Sequence, residues 1–511
     1  MKTLPLHSVF LISSTILLAA ISSSVFYHTL NILELQKARP YLVRDGISVV
    51  TADDTWYMQP PLNWLQGKGW QNDTAGIQSY FQHSPGYGLV WLVMISLAGE
   101  QNALLFLIAF QIFLHAVASV MMWLMLRRHV QPWIALAAAF FFAIWPGIGG
   151  FLNYTLTEGI TPALLLFYVF ALWRFVRNNQ LAMGYVWLGC ATLLFAFLFI
   201  TRPVLGIFLL MLPVSIVFKQ KKSLATKMTL LALTGLLALT PALLWQYRNY
   251  RIAGEITGLH PFYFPTEPGI YRPAHESIWR LCKSWAMHPP SFHQMAHSLF
   301  DSAMEGDTSL QLRHNALELI PQRARQTLGD SLLLHGFALY QQNSLEQGVI
   351  TQNQTIAMPR EIPEKEKKTI AHFNKLTKQY RQNNRADTYL FAPLRVLNYM
   401  IFHSNLNLYA FQHPWRGKLW MEGLRLIGFA FHVLLFLSIL PALLIFRKYP
   451  FQLSLALSCL LYIMYLAWIQ RGIEERYTLP ILPLLFFNGV HLVDVPIKYI
   501  GNSVPWLRRW L

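Results

Sequence analysis

Charge is scarce in this chain: Asp, Glu, Lys and Arg together make up only 13% of its 511 residues, about half the share of a soluble domain. Acids are scarcer still, 24 against 41 bases, so any acid held near another is worth inspecting. Cysteine is almost missing. Of the three present, Cys190 and Cys459 fall in apolar runs and Cys282 in a polar segment, which excludes a disulfide framework and says nothing of redox compartment. Heptads, tandem repeats and low-complexity tracts are missing too, which excludes coiled-coil and solenoid architectures.

What the chain has instead is apolar length. Its residues are 54% hydrophobic and 14% aromatic, grouped in runs near the roughly 20 residues that cross a bilayer. The first run, 8–30, follows Lys2 and has no small-residue cleavage pattern behind it, so it reads as a retained span that also targets the chain. Further spans are expected at 103–126, 132–147, 158–174, 183–200, 203–218, 226–247, 423–446, 451–469 and 478–495. The run 85–98 is apolar but short and Gly-rich. Counted as a crossing, it would put Arg127 and Arg128 and every later basic cluster outside; laid along the membrane surface, it keeps them all in the cytoplasm.

The net charge of +17 invites a nucleic-acid partner, but its positions argue against one. Arg174, Arg177, Lys219, Lys221, Lys222, Lys227, Arg447, Lys448, Arg508 and Arg509 fall in short connections or at a terminus, the positive-inside signature. The expected fold class is therefore an all-α polytopic membrane protein of about ten transmembrane helices with both termini cytoplasmic. Three parts follow: a membrane module 1–247 with a long first extracytoplasmic loop at 31–102, a mainly helical extracytoplasmic domain at 248–422, and the last three spans with the tail at 423–511. In that domain Ile370, Phe373, Leu376 and Tyr380 recur at helical spacing, and the Pro-rich stretch 261–273 reads as loop.

With that orientation the polar residues of interest share one side. Asp53 and Asp54 lie in the first loop, Glu158 opens a span, Arg202 sits between two, Arg248 and Arg251 close another, and Arg471 and Arg476 precede the last. A charge at the edge of hydrocarbon is costly unless paired or solvated, and so is a functional candidate; the blander alternative for each arginine is snorkelling to the interface. For Asp53 and Asp54 the bland alternative is helix capping, since Thr-x-Asp-Asp is good N-cap chemistry. Taken together, arginines facing carboxylates suit a phosphate-bearing substrate. The guanidinium fork orients phosphate oxygens and stabilises charge as phosphate leaves, while a carboxylate deprotonates an incoming hydroxyl.

Asp53-Asp54-Thr55-Trp56-Tyr57, then Gly67-Lys68-Gly69-Trp70 and Ser84-Pro85-Gly86-Tyr87, resemble the first-loop pattern of the GT-C membrane glycosyltransferases. The branch is the bacterial one similar to protein mannosyltransferases and the aminoarabinose transferase of lipid A. The resemblance continues in order through Trp145-Pro146, Thr157-Glu158, Arg202-Pro203, the run from Trp245 through Arg248 to Tyr250, and Glu475-Arg476-Tyr477-Thr478-Leu479-Pro480. It implies a sugar on a polyprenyl phosphate as donor, inversion at the anomeric carbon, an acceptor outside the cytoplasm that is a glycan, lipid or protein, and no nucleic acid. It further implies Asp53 as catalytic base, with Asp54 and Glu158 as accompanying acids. Arg202, Arg248 and Arg476 would hold donor phosphate with Lys68 as a further cation, and Trp56, Tyr57, Tyr87 and Tyr477 would contact sugar or lipid. Some relatives need a divalent cation, for which Asp53 and Asp54 are the candidate ligands. The chain departs from the pattern after Tyr250, where relatives often have a Gly-Asn-rich turn and this one has Leu259-His260-Pro261.

A transporter or flippase of a lipid-linked or small anionic substrate is the competing class. It would show related halves and charges near mid-membrane, whereas here the charges gather at one rim. An oligosaccharide polymerase or ligase would lack the acid pair. His293 and His297 have the spacing of a helical metal pair, but without the Glu of a zinc protease motif they read as ordinary surface histidines.

Overall fold

The computed structural model describes residues 5–51, 53–72, 83–178, 180–219, 223–254, 256, 274–353, 362–402, 419–472 and 475–503. The Pro-rich stretch 261–273 and the turn after Tyr250 lie mostly outside them. Helix α1 (Leu6–Ala38) is roughly 50 Å long at 1.5 Å per residue. It buries a single stripe that includes Ile16, Ala20 and Ser24, while Phe10, Leu11, Leu18 and Phe26 stay more than half exposed. An apolar helix with an uncovered apolar surface belongs in lipid.

A short hairpin follows, β1 (Val43–Arg44) antiparallel to β2 (Ser48–Val49), with Val43 opposite Val49. Asp45 and Gly46 turn it with φ of 52° and 68°, the left-handed pair that a tight hairpin needs and that an Asp-Gly sequence supplies. β2 then pairs with a distant segment, Val49 donating its N–H to the Asn153 carbonyl at 2.9 Å. This clips the first loop to the turn that leads into Glu158.

Helix α2 (Asp54–Leu65) carries the aromatic residues after the acid pair. The helical run Gly86–Leu126, α3, is broken at Gly99, whose φ of 73° and ψ of 162° are open to glycine and closed to other residues. That break separates 86–98, too short at about 20 Å to cross a bilayer alone, from the span after it. The bundle continues through α4 (Pro132–Ile144), α5 (Pro146–Gly149), α6 (Thr161–Arg177) and α7 (Leu181–Thr201). A 3-10 segment, Pro203–Leu210, leads into α8 (Met211–Val217), and α9 (Leu224–Ala253) follows.

A second helical cluster contains α10 (Ala274–Lys283), α11 (Pro289–Met304), α12 (Leu310–Glu318), α13 (Gln322–Leu328), α14 (Asp330–Asn353) and α15 (Glu364–Asn383). It has its own core, in which Phe292, Leu299, Phe337, Phe373, Leu376 and Tyr380 are buried and Ile370 packs alongside, as the helical spacing of the last four predicts. The buried Glu366 carboxylate accepts from the Ala274 N–H and the Asn343 amide, both at 2.7 Å, pinning α10 and α14 to α15. Past a π-turn at Asp387–Phe391, helix α16 (Ala392–Phe402) puts Val396 and Met400 into the main core. The main bundle is completed by α17 (Leu419–Leu437), α18 (Ile439–Ile445), α19 (Pro450–Met464) and α20 (Leu482–Ser503).

Seven described helices are long and apolar enough to cross a membrane, and an eighth results if Arg425–Leu437 and Ile439–Ile445, bent by 42°, count as one. The two other expected spans are shorter. Thr161–Arg177 begins after Glu158 rather than at it, and Pro203–Val217 opens as the tighter 3-10 form. The protein is an all-α polytopic membrane protein in which the helix ends, rather than the helix middles, hold the charged residues discussed below.

Candidate active site

Asp53 occupies the N-cap position of α2 but its side chain makes no capping hydrogen bond. Its Oδ2 instead accepts from Arg476 Nη2 at 2.7 Å, from the 3-10 segment Glu475–Ile481 that opens into α20. Arg476 also faces a second acid, its Nε lying 3.9 Å from Glu158 Oε1. Glu158, 3% exposed, takes Arg202 Nη1 on the same oxygen at 2.6 Å. Thr157 joins the pair, accepting from Arg202 at 3.1 Å and donating to Glu158 Oε2 at 2.9 Å. Four charges from four distant parts of the chain thus form one row: Asp53, Arg476, Glu158, Arg202.

Aromatic rings line this row. The Arg202 guanidinium lies 5.2 Å from the Tyr477 ring centre and that of Arg476 5.9 Å from it, and Tyr462 donates its hydroxyl to the Tyr477 carbonyl at 2.7 Å. Tyr57 stacks on His83 at 4.7 Å and meets Tyr87 edge-on at 5.3 Å. Burial pushes the Tyr57 phenol well above its ordinary pKa; the Glu158 and Asp53 carboxylates push the same way against Arg202 and Arg476. It stays protonated and can donate. Tyr87 donates to Gln111 Oε1 at 3.0 Å, and Gln111 in turn donates to the Leu152 and Tyr154 carbonyls. Gly159 lies against Gln111 so closely that any side chain there would strike the amide.

Burial works against the charge on both partners at the inner end of the row, but the pairing is stronger. For Glu158 desolvation is offset by Arg202 first and Arg476 second, leaving its pKa below the ordinary carboxylate value. For Arg202 the Glu158 charge more than offsets desolvation, so its pKa is raised. Both groups are ionised at neutral pH.

Asp54 points another way. It is fully buried, and its Oδ2 takes Arg44 Nη2 at 3.0 Å, the Thr155 hydroxyl at 3.3 Å and the Thr51 N–H at 3.4 Å. It fastens α2 to the hairpin and to the turn before Glu158. Arg248 is likewise engaged elsewhere. It donates to the Trp70 carbonyl at 2.5 Å and to Asn249 at 3.0 Å, and lies over the Trp245 ring at 4.6 Å, anchoring the first loop to α9. Lys68 is exposed between Gly67 and Gly69, both at positive φ, and Trp56 is half-buried on the first turn of α2.

Asp53 and Asp54 turn to different partners. Asp53 gives its Oδ2 to Arg476 and Asp54 its Oδ2 to Arg44, two arginines on different segments, while Asp54 Oδ1 is buried without a partner among the described residues. Among the described residues no group of three His, Cys, Asp or Glu side chains is placed to hold a metal. His293 and His297 stand with ring centres 5.8 Å apart, His297 facing Asp301 at 3.3 Å.

Residues that the sequence does not single out complete the site. Arg44 is a cation in the first loop shortly before the acids, which is a weak signal. Thr155 and Tyr462 carry none, because their partners come from distant segments.

No family model matches the sequence, and no curated protein matches it. Among solved structures, the archaeal oligosaccharyltransferase AglB from Archaeoglobus fulgidus, in complex with an inhibitory peptide and a dolichol-phosphate, aligns with a TM-score of 0.47 at 12% identity. The alignment covers 97% of this chain and 52% of that one, so this chain spans about half the length of AglB. ArnT from Cupriavidus metallidurans aligns in the apo state with a TM-score of 0.35 at 13% identity, over 99% of this chain and 80% of that one. The same protein bound to undecaprenyl phosphate gives 0.34 at 12% identity, over 99% and 81%.

Proposed function

We propose that this chain is a membrane glycosyltransferase that moves a sugar from a polyprenyl-phosphate donor to a hydroxyl acceptor on the extracytoplasmic side, with inversion and with Asp53 as base. The observation that carries this reading is Arg476, shared between Asp53 at 2.7 Å and Glu158 at 3.9 Å. A guanidinium held by two acids is charge-matched without substrate. A donor phosphate entering beside Arg202 and Arg476 competes with Asp53 for the fork of Arg476. As Arg476 turns to the phosphate, the Asp53 carboxylate is released to meet the acceptor hydroxyl and take its proton.

In the transfer step the acceptor oxygen bonds to the anomeric carbon on the face opposite the phosphate, and its proton passes to Asp53. The bond from that carbon to the phosphate oxygen breaks and its electron pair stays on the polyprenyl phosphate, which gains one negative charge. Arg202 and Arg476 stabilise that growing charge. No acid is needed, because phosphate leaves unprotonated. Glu158 is too buried to meet the acceptor and serves to position the two arginines. The protonated Tyr57 phenol supplies a donor beside the row. Asp54, Arg44 and Arg248 hold the first loop in place. The ordered sequence motifs shared with GT-C enzymes support the same reading.

Charges at helix ends suit this chemistry better than transport, in which a proton or substrate relay runs through the middle of the bundle. The deciding experiment is to incubate the purified protein with a panel of polyprenyl-phosphate sugars and follow release of the polyprenyl phosphate. Consumption of one donor supports the transferase reading. Uptake of a lipid-linked substrate into vesicles with no bond broken would replace it with the transporter.

A further inference from the structure

The second helical cluster carries a cleft of about 570 Å³ between α10, α15 and the π-turn. Its walls include Arg280, Lys378, Arg381, Arg385 and Tyr389, and among the described residues no acid lines it. Among the described residues, Lys378 and Arg385 have no acidic partner, and Arg280 has only the exposed Glu276 at 3.1 Å. Arg381 is half-buried and spends its Nε on the Ser284 hydroxyl at 3.0 Å. Four cations around one cleft repel one another unless an anion sits among them.

A fifth cation flanks the cleft. Arg471, 7% exposed, holds its guanidinium 6.0 Å from the Tyr389 ring centre. Its Nε donates to the Trp468 carbonyl at 2.8 Å, while its Nη1 is buried with no protein partner among the described residues. The Arg471 backbone is left-handed at φ 59°, a strained conformation for a side-chain-bearing residue. A buried, unpaired guanidinium nitrogen on strained backbone is expensive unless a ligand uses it. Desolvation and the neighbouring charge of Arg280 both lower the Arg381 pKa, and desolvation and Arg381 do the same to Arg471.

We infer that this cleft binds a phosphate group, borne by a glycan or by a lipid headgroup, with Arg280, Lys378, Arg381 and Arg385 as its ligands. Guanidinium forks match phosphate oxygens in pairs, and the volume falls within the range of small-molecule sites. Arg476 comes five positions after Arg471, so at most about 18 Å of backbone joins the cleft to the charged row. On the transferase reading above, that reach makes the phosphate part of a short glycan acceptor held away from its reacting hydroxyl. This second statement rests on that reading, and the first does not.

The test uses the full chain in a neutral detergent, titrated with glucose 6-phosphate, with dihexanoylphosphatidylglycerol and with glucose, and read by calorimetry and by phosphorus NMR line broadening. A Lys378→Glu, Arg385→Glu double variant changes only exposed side chains outside the charged row. The expected result is that a phosphate compound binds, glucose does not, and the variant binds at least about tenfold more weakly at unchanged melting temperature. Equal binding by the variant, or no preference for phosphate over glucose, overturns the site. Binding of glucose 6-phosphate supports a glycan carrier; binding of the lipid alone keeps the phosphate site and overturns the acceptor assignment. No turnover is involved, so failure of every sugar donor leaves this result standing, and loss of the cleft leaves transfer at Asp53 standing.

Discussion

Arg476 and Asp53 meet at 2.7 Å across 423 residues of chain. The pair is partly open to solvent, its side chains 20% and 32% exposed, so it contributes at most about 1 kcal/mol to stability. On the proposed transferase reading its value is chemical. Asp53→Asn is expected to lower transfer by about 10²- to 10⁴-fold, the usual contribution of a positioned base, with little shift in melting temperature. Turnover by the variant at the wild-type rate would remove Asp53 from the base role.

Arg476→Ala is expected to lower kcat by about 10²- to 10³-fold, the loss seen when one donor to a developing oxyanion is removed. Arg476→Lys keeps the charge without the fork that reaches Asp53 and Glu158 together, so it should recover only part of that loss. Full recovery by lysine would mean that charge alone suffices. Steady-state kinetics on the two variants separate these outcomes.

Arg202 has a different effect. Removing it leaves Glu158 buried with Arg476 at 3.9 Å as its nearest cation, and Arg202→Met is expected to destabilise by about 3–5 kcal/mol, the penalty for breaking a buried ion pair. The double variant Arg202→Met, Glu158→Leu should regain most of that stability and none of the activity. Thermal unfolding in detergent beside a donor-release assay makes the comparison. A single variant as stable as wild type would show that Glu158 is better solvated than the geometry indicates.

Acid should weaken the same pair. Despite burial, Arg202 and Arg476 hold the Glu158 carboxyl below its ordinary value of 4.5. A depressed folded-state pKa gives stability that is full above the unfolded value and lost as pH falls through the folded one. Melting temperature should therefore fall as pH drops below about 4.5, and Glu158→Gln should flatten that limb while leaving the curve near neutrality alone. A wild-type curve that is flat in that range would contradict the pairing.

Much of the bundle is legible in the sequence, because hydropathy alone sets where a chain can lie in lipid. The expected spans 132–147, 183–200 and 226–247 correspond to Pro132–Ile144, Leu181–Thr201 and Leu224–Ala253. Two spans differ for local reasons. Glu158 stands in a 3-10 turn ahead of α6 to reach Arg202, and the segment after Pro203 is wound more tightly than an α-helix. Gly99 is visible as a break, but its φ of 73° is not. In the site, the composition points to the acids and arginines as a set, yet pairing is a tertiary property. Composition and spacing do not tell Asp53 from Asp54; their partners do, Arg476 for one and Arg44 for the other. Arg248 stands with the other arginines in sequence, and only the fold shows its guanidinium held by Trp70, Asn249 and Trp245.

The row of charges draws on residues 53, 158, 202 and 476, so its last member is made some 270 residues after the third. A chain still being inserted already holds both carboxylates and the Arg202 pair, yet Asp53 has no cation until α20 is delivered. The row therefore closes only when a segment some 270 residues beyond Arg202 joins it, and on the proposed transferase reading an unfinished bundle would leave a donor untouched.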